Sequence, residues 1–277
     1  MKSKRKFKIG TLVLAFVSIA IALVMILPIV WGFFCSLQHE GKQIKTIWDW
    51  FTPPYTLGNY PNLIANSEVL VWLINSLVVA LITMVLTVLI TTMAAYALAK
   101  IPFKGRHAFY MYFLLGMLIP TEATVVPLFI LVKDLGLTDS YAGLIFPTIA
   151  NAMMLIVTVD FFKSVPDSII EAVRIDGGSE FTIFWRIMLP LSKPIIATVC
   201  LFSFVNSWNN YLWPLLCIFS DKLYTMPIGI PTLLNTESPD FVVPMTANMI
   251  SSLPMIIMFI IFERQVVEGI STQGLKE

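Results

Sequence analysis

Residues 171–190 read Glu-Ala-Val-Arg-Ile-Asp-Gly-Gly-Ser-Glu-Phe-Thr-Ile-Phe-Trp-Arg-Ile-Met-Leu-Pro. Five of them are charged (Glu171, Arg174, Asp176, Glu180 and Arg186), yet the segment lies between two long apolar runs. From Val165 the chain predicts two short helices. Pro166 suits a first turn because its missing N–H would go unpaired there, and Asp167 suits the positive end of the helix dipole. Ile169, Ala172, Val173 and Asp176 recur at helical spacing, and Gly177 offers the left-handed residue that commonly ends a helix. Ser179 is an N-cap candidate with Glu180 in the first turn. Phe181, Phe184, Trp185 and Met188 then form an apolar stripe at i, i+3, i+4 and i+7. Leu189-Pro190 is expected to stop this second helix. The residues alone leave two uses open: an amphipathic hairpin resting on a membrane surface, or a coupling element seated in a groove of a soluble partner.

The surrounding chain is apolar. Of 277 residues 57% are hydrophobic and 13% charged, and mean hydropathy is +0.83. That excludes an ordinary soluble domain. A net charge of +1 implies no bulk attraction to nucleic acid. About 20 apolar residues span a bilayer. Thr11 to about Phe34 has that length, and so do the charge-free windows 69–99, 140–159, 194–220 and 241–262. The window from Arg106 to Lys133 contains one charge, Glu122. The expectation is an all-α membrane protein with six spans. A basic start (Lys2, Lys4, Arg5, Lys6, Lys8) before an apolar run could be a signal peptide. The run is too long, however, and ends in Trp31-Gly-Phe-Phe instead of a small-residue cleavage site.

Placing both termini in the cytoplasm puts 14 of the 18 Lys and Arg residues inside, leaving Lys42, Lys45, Lys133 and Lys222 outside. Residues 1–10 are then a basic cytoplasmic start, 11–263 the six-helix domain and 264–277 a cytoplasmic tail. Residues 37–68 form an outer segment, and 163–193 are the charged loop. Trp48, Trp50, Pro53, Pro54, Tyr55 and Tyr60 make the outer segment either an interfacial aromatic belt or a contact surface for an extracytoplasmic partner. The outer loop 221–240 is open to the same two readings. The cysteines (Cys35, Cys200, Cys217) and histidines (His39, His107) lack metal-ligand spacing, so no metal and no catalytic residue is expected.

Polar groups inside a bilayer need a partner or a cavity. Asn206, Ser207, Trp208, Asn209, Asn210 and Tyr211 are the densest such cluster, placed in the fifth helix. Amides bond hydroxyls and rings pack the apolar face of a pyranose, which makes these solute-pathway candidates. The alternative is amide bonding between helices. Glu122, between Pro120 and Pro127, is expected to face a cavity or a partner; Asn151 and Asn248 are weaker candidates.

Glu171-Ala-Val, then Asp176-Gly177, then nine residues and Ile187-Met-Leu-Pro190, resembles the EAA motif of ABC importer permeases, E-A-A-x-x-x-G followed by I-x-L-P. Val173 replaces an Ala of that motif, and Gly178 stands where Ala is common. The stretches 119–129 (Ile-Pro-Thr-Glu-Ala-Thr-Val-Val-Pro-Leu-Phe), 135–147 (Leu-Gly-Leu-Thr-Asp-Ser-Tyr-Ala-Gly-Leu-Ile-Phe-Pro) and 208–215 (Trp-Asn-Asn-Tyr-Leu-Trp-Pro-Leu) extend the likeness to the carbohydrate, maltose-type branch. The end, Glu268 to Lys276, is similar to that branch's G-L-T-x-G-x-V-K tail, with Ser271 and Leu275 departing from it.

The resemblance implies the ABC importer type I permease fold in a bacterial or archaeal cell membrane. Implied partners are a second permease subunit (a heterodimer), a dimer of cytoplasmic ATPase subunits and an extracytoplasmic solute-binding protein. ATP and Mg would be used by the ATPase partners, with no cofactor bound by this chain; no G-x-x-x-x-G-K-[ST] phosphate loop occurs in it. Glu171, Ala172, Arg174, Asp176, Gly177, Gly178, Phe181, Leu189 and Pro190 would carry the coupling. The implied function is sugar or oligosaccharide import, with glycerol-phosphate or polyol import as the alternative. An ion-coupled transporter with Glu122 as relay, and an anchor without transport, are the rival classes.

Overall fold

The computed structural model describes residues 9–42, 46–234 and 240–273. The basic start before Ile9, Lys45, residues 235–239 of the outer loop and Lys276 lie outside the described residues. The described chain is helical and contains no strand. The first half runs α1 (Ile9–Ser36), α2 (Asn59–Asn66), α3 (Val69–Lys100), α4 (Arg106–Gly116), α5 (Thr121–Asp134), α6 (Tyr141–Ile145) and α7 (Ala152–Ser164). The second half runs α8 (Asp167–Ile175), α9 (Glu180–Ile183), α10 (Leu189–Leu191), α11 (Lys193–Trp208), α12 (Leu212–Cys217), α13 (Met226–Thr232) and α14 (Val242–Gln273).

Three of these helices are long and apolar enough to cross a membrane, and up to six spans result if each bent pair counts as one. The predicted windows are therefore present, but three are broken. α4 and α5 meet at 103° and α6 and α7 at 47°, while an 81° bend separates the α9–α10 segment from α11. Pro120 sits at the first of these bends and Asn151 at the second; separately, Asn209–Asn210 interrupt the predicted window 194–220 between α11 and α12. At each amide break a side chain takes over a backbone duty. Asn151 Oδ1 accepts Met154 N at 3.0 Å, and Asn210 Oδ1 accepts Trp213 N at 3.2 Å. The amide cluster expected within one fifth helix thus straddles the end of α11 and the gap before α12.

The chain forms two compact units, Met1–Val69 with Ile230–Ser252 and Leu70–Gly229 with Leu253–Glu277. In the first, the outer segment is tied to the end of α1. Trp31 meets Trp50 edge-on at 5.6 Å, and Phe34 lies 5.3 Å from Phe51. Buried Asn59 donates to the carbonyls of Ser36 and Gln38, both at 2.7 Å. Lys42 donates to Gln38 Oε1, Asp49 O and Thr52 O, so a cation organises this turn. Trp50 and Tyr60 are thereby engaged within the chain, while Trp48 projects outward.

In the second unit α3 is the common neighbour. Its C-terminal end (Ala95, Tyr96, Leu98, Ala99) packs with Leu155, Val159 and Phe162 of α7 and with Ile170, Ile183, Phe184 and Met188. Nearer its start, Asn75 donates to Lys222 O and Tyr224 O and accepts from Tyr141 OH. Burial removes apolar area from water at about 25 cal/mol per Å². In lipid that gain fades, and close packing with paired polar groups holds helices together.

Candidate functional site

Two features of the second unit carry most of the sequence candidates: the charged hairpin 165–192 and a polar cavity beside α3.

The hairpin begins at α8, which Asp176 closes, with Gly177 left-handed at φ +81°. Gly177 N and Gly178 N then donate to Arg174 O and Val173 O, the two bonds of a glycine-terminated helix end. Ser179 caps α9 by accepting Thr182 N at 3.2 Å. These elements match the sequence reading, and three details differ from it. First, Ile170 and Val173 supply the inward face of α8, while Ile169, Ala172 and Asp176 face out. Second, residues 184–188 form a π-turn, closed by Leu189 N donating to Phe184 O. The extra residue shifts the register, so the expected stripe divides. Phe184 and Met188 are buried with Ile183, whereas Phe181 and Trp185 are exposed and pack on each other at 5.9 Å. Third, the helix does not stop at Leu189-Pro190 but continues to Leu191. The wider turn leaves room for the Pro190 ring and has no need of its absent N–H.

The two departures from the EAA pattern are physically linked. A Cβ on Gly178 would lie 2.6 Å from Val173 Cγ1 and 2.9 Å from Val173 O. The larger residue at 173 occupies the space that an alanine at 178 would need.

Polar bonds fasten the hairpin to α3, and sequence reasoning did not find them. Lys100, nearly buried in the last turn of α3, donates to Val165 O at 2.6 Å and to Asp167 Oδ1 at 2.5 Å. Tyr96 OH donates to Glu180 Oε2 at 2.5 Å, and Arg174 Nε donates to Glu180 Oε1 at 2.7 Å. The Lys100 ammonium holds the Asp167 carboxyl below its usual range. Glu180 is likewise lowered, chiefly by the Arg174 hydrogen bond, and Arg174 is raised by the same bond. The one hint in the sequence was a lysine ending a 31-residue charge-free run, placed to satisfy late carbonyls and a following acidic turn. The outward face carries Glu171, Asp176, Ile169, Ile175, Phe181 and Trp185. Ile175 is 86% exposed and Phe181 70%, so apolar surface stands uncovered beside these carboxylates.

The cavity, about 70 Å³, lies where α3, the α6–α7 break and the end of α11 converge. Asn151, Asn206 and Asn210 line it together with Thr148 and Ser207. Its buried part is formed by Thr83, Thr87, Met154 and Ser203. The structure thus brings three of the pathway candidates to one place. Trp208 is 3% exposed and stacks on Phe204 at 5.5 Å, which commits its ring to the helix core. Asn209 and Tyr211 are exposed outside the cavity, as are Glu122 in the first turn of α5 and Asn248 on α14. Among the described residues no group of three or more His, Cys, Asp or Glu is arranged to hold a metal ion.

The described chain is helical, with several membrane-span-capable elements and a charged hairpin bonded to one of them. Residues 88–271 match the family described as "Binding-protein-dependent transport system inner membrane component", and the chain belongs to that family. It is 31% identical over 279 residues to the arabinooligosaccharides transport system permease protein AraQ of Bacillus subtilis, covering 100% of this chain and 99% of that relative. It is 32% identical over 200 residues to the sn-glycerol-3-phosphate transport system permease protein UgpE of Yersinia pestis, covering 72% and 71%. A solved bacterial ABC transporter chain, involved in import of the acidic polysaccharide alginate, shares the fold at TM-score 0.81. It is 23% identical, with 95% of this chain and 99% of that one covered.

Proposed function

We propose that this permease carries a carbohydrate, a sugar or oligosaccharide, into the cytoplasm, driven by ATPase subunits that grip the 165–192 hairpin. The single observation that carries this reading is the hairpin's two-sidedness. One face is locked to α3 by Lys100 and Glu180, and the other offers Glu171, Asp176, Ile175 and Phe181 outward. A force applied to the outer face therefore reaches α3 without passing through a soft contact. Gly177, Gly178, Leu189 and Pro190 shape the hairpin, while Ala172 and Arg174 flank the contact face.

In this reading the six spans are α1, α3, α4–α5, α6–α7, α11–α12 and α14, with α8–α10 and both termini cytoplasmic, as the distribution of basic residues favours. The chain has no ATPase site of its own. It pairs with a second, homologous permease, a dimer of ATPase subunits using ATP and Mg acts on the hairpins, and an extracytoplasmic binding protein delivers the solute. The solute passes the Asn151, Asn206 and Asn210 side of the bundle. The likeness to AraQ supports a saccharide cargo. Glycerol phosphate is the second reading, which the likeness to UgpE favours.

The test is Glu171→Lys combined with Phe181→Ala in the assembled importer. Membrane insertion should persist while co-purification of the ATPase subunit and ATP-dependent uptake are both lost. Full retention of both would refute the coupling role. Uptake by this chain alone, driven by an ion gradient, would refute the class of mechanism. The ligand retained by the co-purifying binding protein decides between saccharide and glycerol phosphate.

A further inference from the structure

The buried end of the cavity holds hydroxyls that the described residues leave unpaired. Thr83 and Thr87 lie one turn apart on α3, and Ser203 faces them from α11. All three side chains are buried, and Thr83 Oγ1, Thr87 Oγ1 and Ser203 Oγ have no hydrogen-bond partner among the described residues. Helical Ser and Thr ordinarily have a local remedy, the carbonyl one turn back. Neighbouring residues use it: Thr92 bonds Val88 O at 2.7 Å, Thr158 bonds Met154 O at 2.6 Å and Thr198 bonds Pro194 O at 3.0 Å. Three buried hydroxyls that forgo it around one cavity are costly unless something enters to pair with them.

We propose that this cavity is a subsite for neutral hydroxyl groups of the transported solute. The proposal rests on the saccharide reading above and narrows it to a place and a chemistry. Hydroxyls both donate and accept, so Thr83, Thr87 and Ser203 can meet a solute hydroxyl in either sense. At the more open side, Asn151 and Asn210 spend their carbonyl oxygens on helix caps and keep NH2 donors for other partners. Among the described residues no charged side chain lines the cavity. An ionised phosphate or carboxylate would lose its water there without a counter-charge, so the site selects against anions. At roughly 30 Å³ per water, a volume of about 70 Å³ admits two hydroxyl-sized groups. A hydroxymethyl arm or a pair of ring hydroxyls fits, and a whole sugar ring does not. Water supplies the same chemistry when no solute is present, and the experiment separates these two sources.

The complete importer, with partner permease, ATPase and binding protein, is reconstituted in liposomes. It is offered an arabino-oligosaccharide or glycerol 3-phosphate, and solute moved per ATP hydrolysed is measured. Thr87→Val and Ser203→Ala should each lower that ratio for the oligosaccharide by about fivefold, the scale of one lost neutral hydrogen bond. Stimulation of ATP hydrolysis by the loaded binding protein should persist. Thr87→Ser should restore the ratio, and Thr92→Val, whose hydroxyl is already bonded within its own helix, should match the wild type. An unchanged ratio with a raised melting temperature would mean that water alone fills the cavity and would overturn the proposal. An equal loss for glycerol 3-phosphate would overturn its restriction to neutral groups. If the wild-type importer moves glycerol 3-phosphate but no neutral saccharide, the cargo reading itself fails, and the subsite falls with it.

Discussion

The hairpin and the cavity handle polar groups in an apolar chain in opposite ways. In the hairpin Lys100, Asp167, Arg174 and Glu180 all have partners within the chain at 2.5–2.7 Å. In the cavity three buried hydroxyls have none among the described residues. A satisfied network is rigid and suits the transmission of force, whereas an unsatisfied one is reserved for something that arrives. One unit of the chain thus holds both a stiff handle and a receptive pocket, and α3 contributes to each.

Substitutions separate these roles. Gly177→Pro is expected to do most damage. Proline cannot adopt φ +81°, and it removes the N–H that Arg174 O accepts, so the hairpin should lose about 3 kcal/mol or more. Pull-down of the ATPase subunit should fail, while membrane insertion is retained. Lys100→Met keeps the length of the side chain and deletes the clamp, leaving Val165 O without that donor. The expected loss is about 1–3 kcal/mol, read from thermal melts and from faster proteolysis at 165–180.

Gly178→Ala should destabilise by about 1–3 kcal/mol through overpacking against Val173. Adding Val173→Ala should recover part of that loss but not all of it, because Val173 O also lies within 2.9 Å of the new Cβ. A double-mutant cycle on melting temperature measures the coupling. On the cavity side, Asn151→Ala removes the cap of α7 and should cost about 1 kcal/mol without loosening the hairpin.

The smallest effect is that of pH. The Asp167 carboxyl is lowered by Lys100, so its contribution is fully present above the ordinary carboxylate pKa of about 4 and is lost as pH falls through the lowered folded value. The difference in melting temperature between wild type and Lys100→Met should therefore narrow in that acidic range. Because the Asp167 side chain is 75% exposed, solvent screens the pair and the narrowing should be modest.

Much of the hairpin was legible in the chain. Pro166, Gly177, Ser179 and the E-A…D-G…I-x-L-P spacing act through local backbone preferences, which need no distant partner. The π-turn was not legible, because i→i+5 pairing leaves no periodic signature. It changed which aromatic residues are core: Phe184 and Met188 turned in, Phe181 and Trp185 out. The reading of one amide cluster in a fifth helix erred for a related reason. Asn209 and Asn210 carry no charge and so left the apolar window unbroken, but their side chains are equally suited to end α11 and start α12.

By itself the sequence determined that this is an all-helical membrane chain, where its long apolar elements lie, and that one charged hairpin interrupts them. Those properties follow from apolar length, charge placement and turn chemistry, all local or additive along the chain. Tertiary structure alone decided that Lys100 and Tyr96 hold the hairpin, that Val173 excludes a side chain at 178, and that Thr83, Thr87 and Ser203 share an unpaired cavity. Each depends on atoms brought within a few ångströms across tens of residues or more, except the close pair at 173 and 178, which needs the left-handed turn at Gly177. Hydrogen bonding and van der Waals exclusion act at that range, and composition and periodicity carry no record of it.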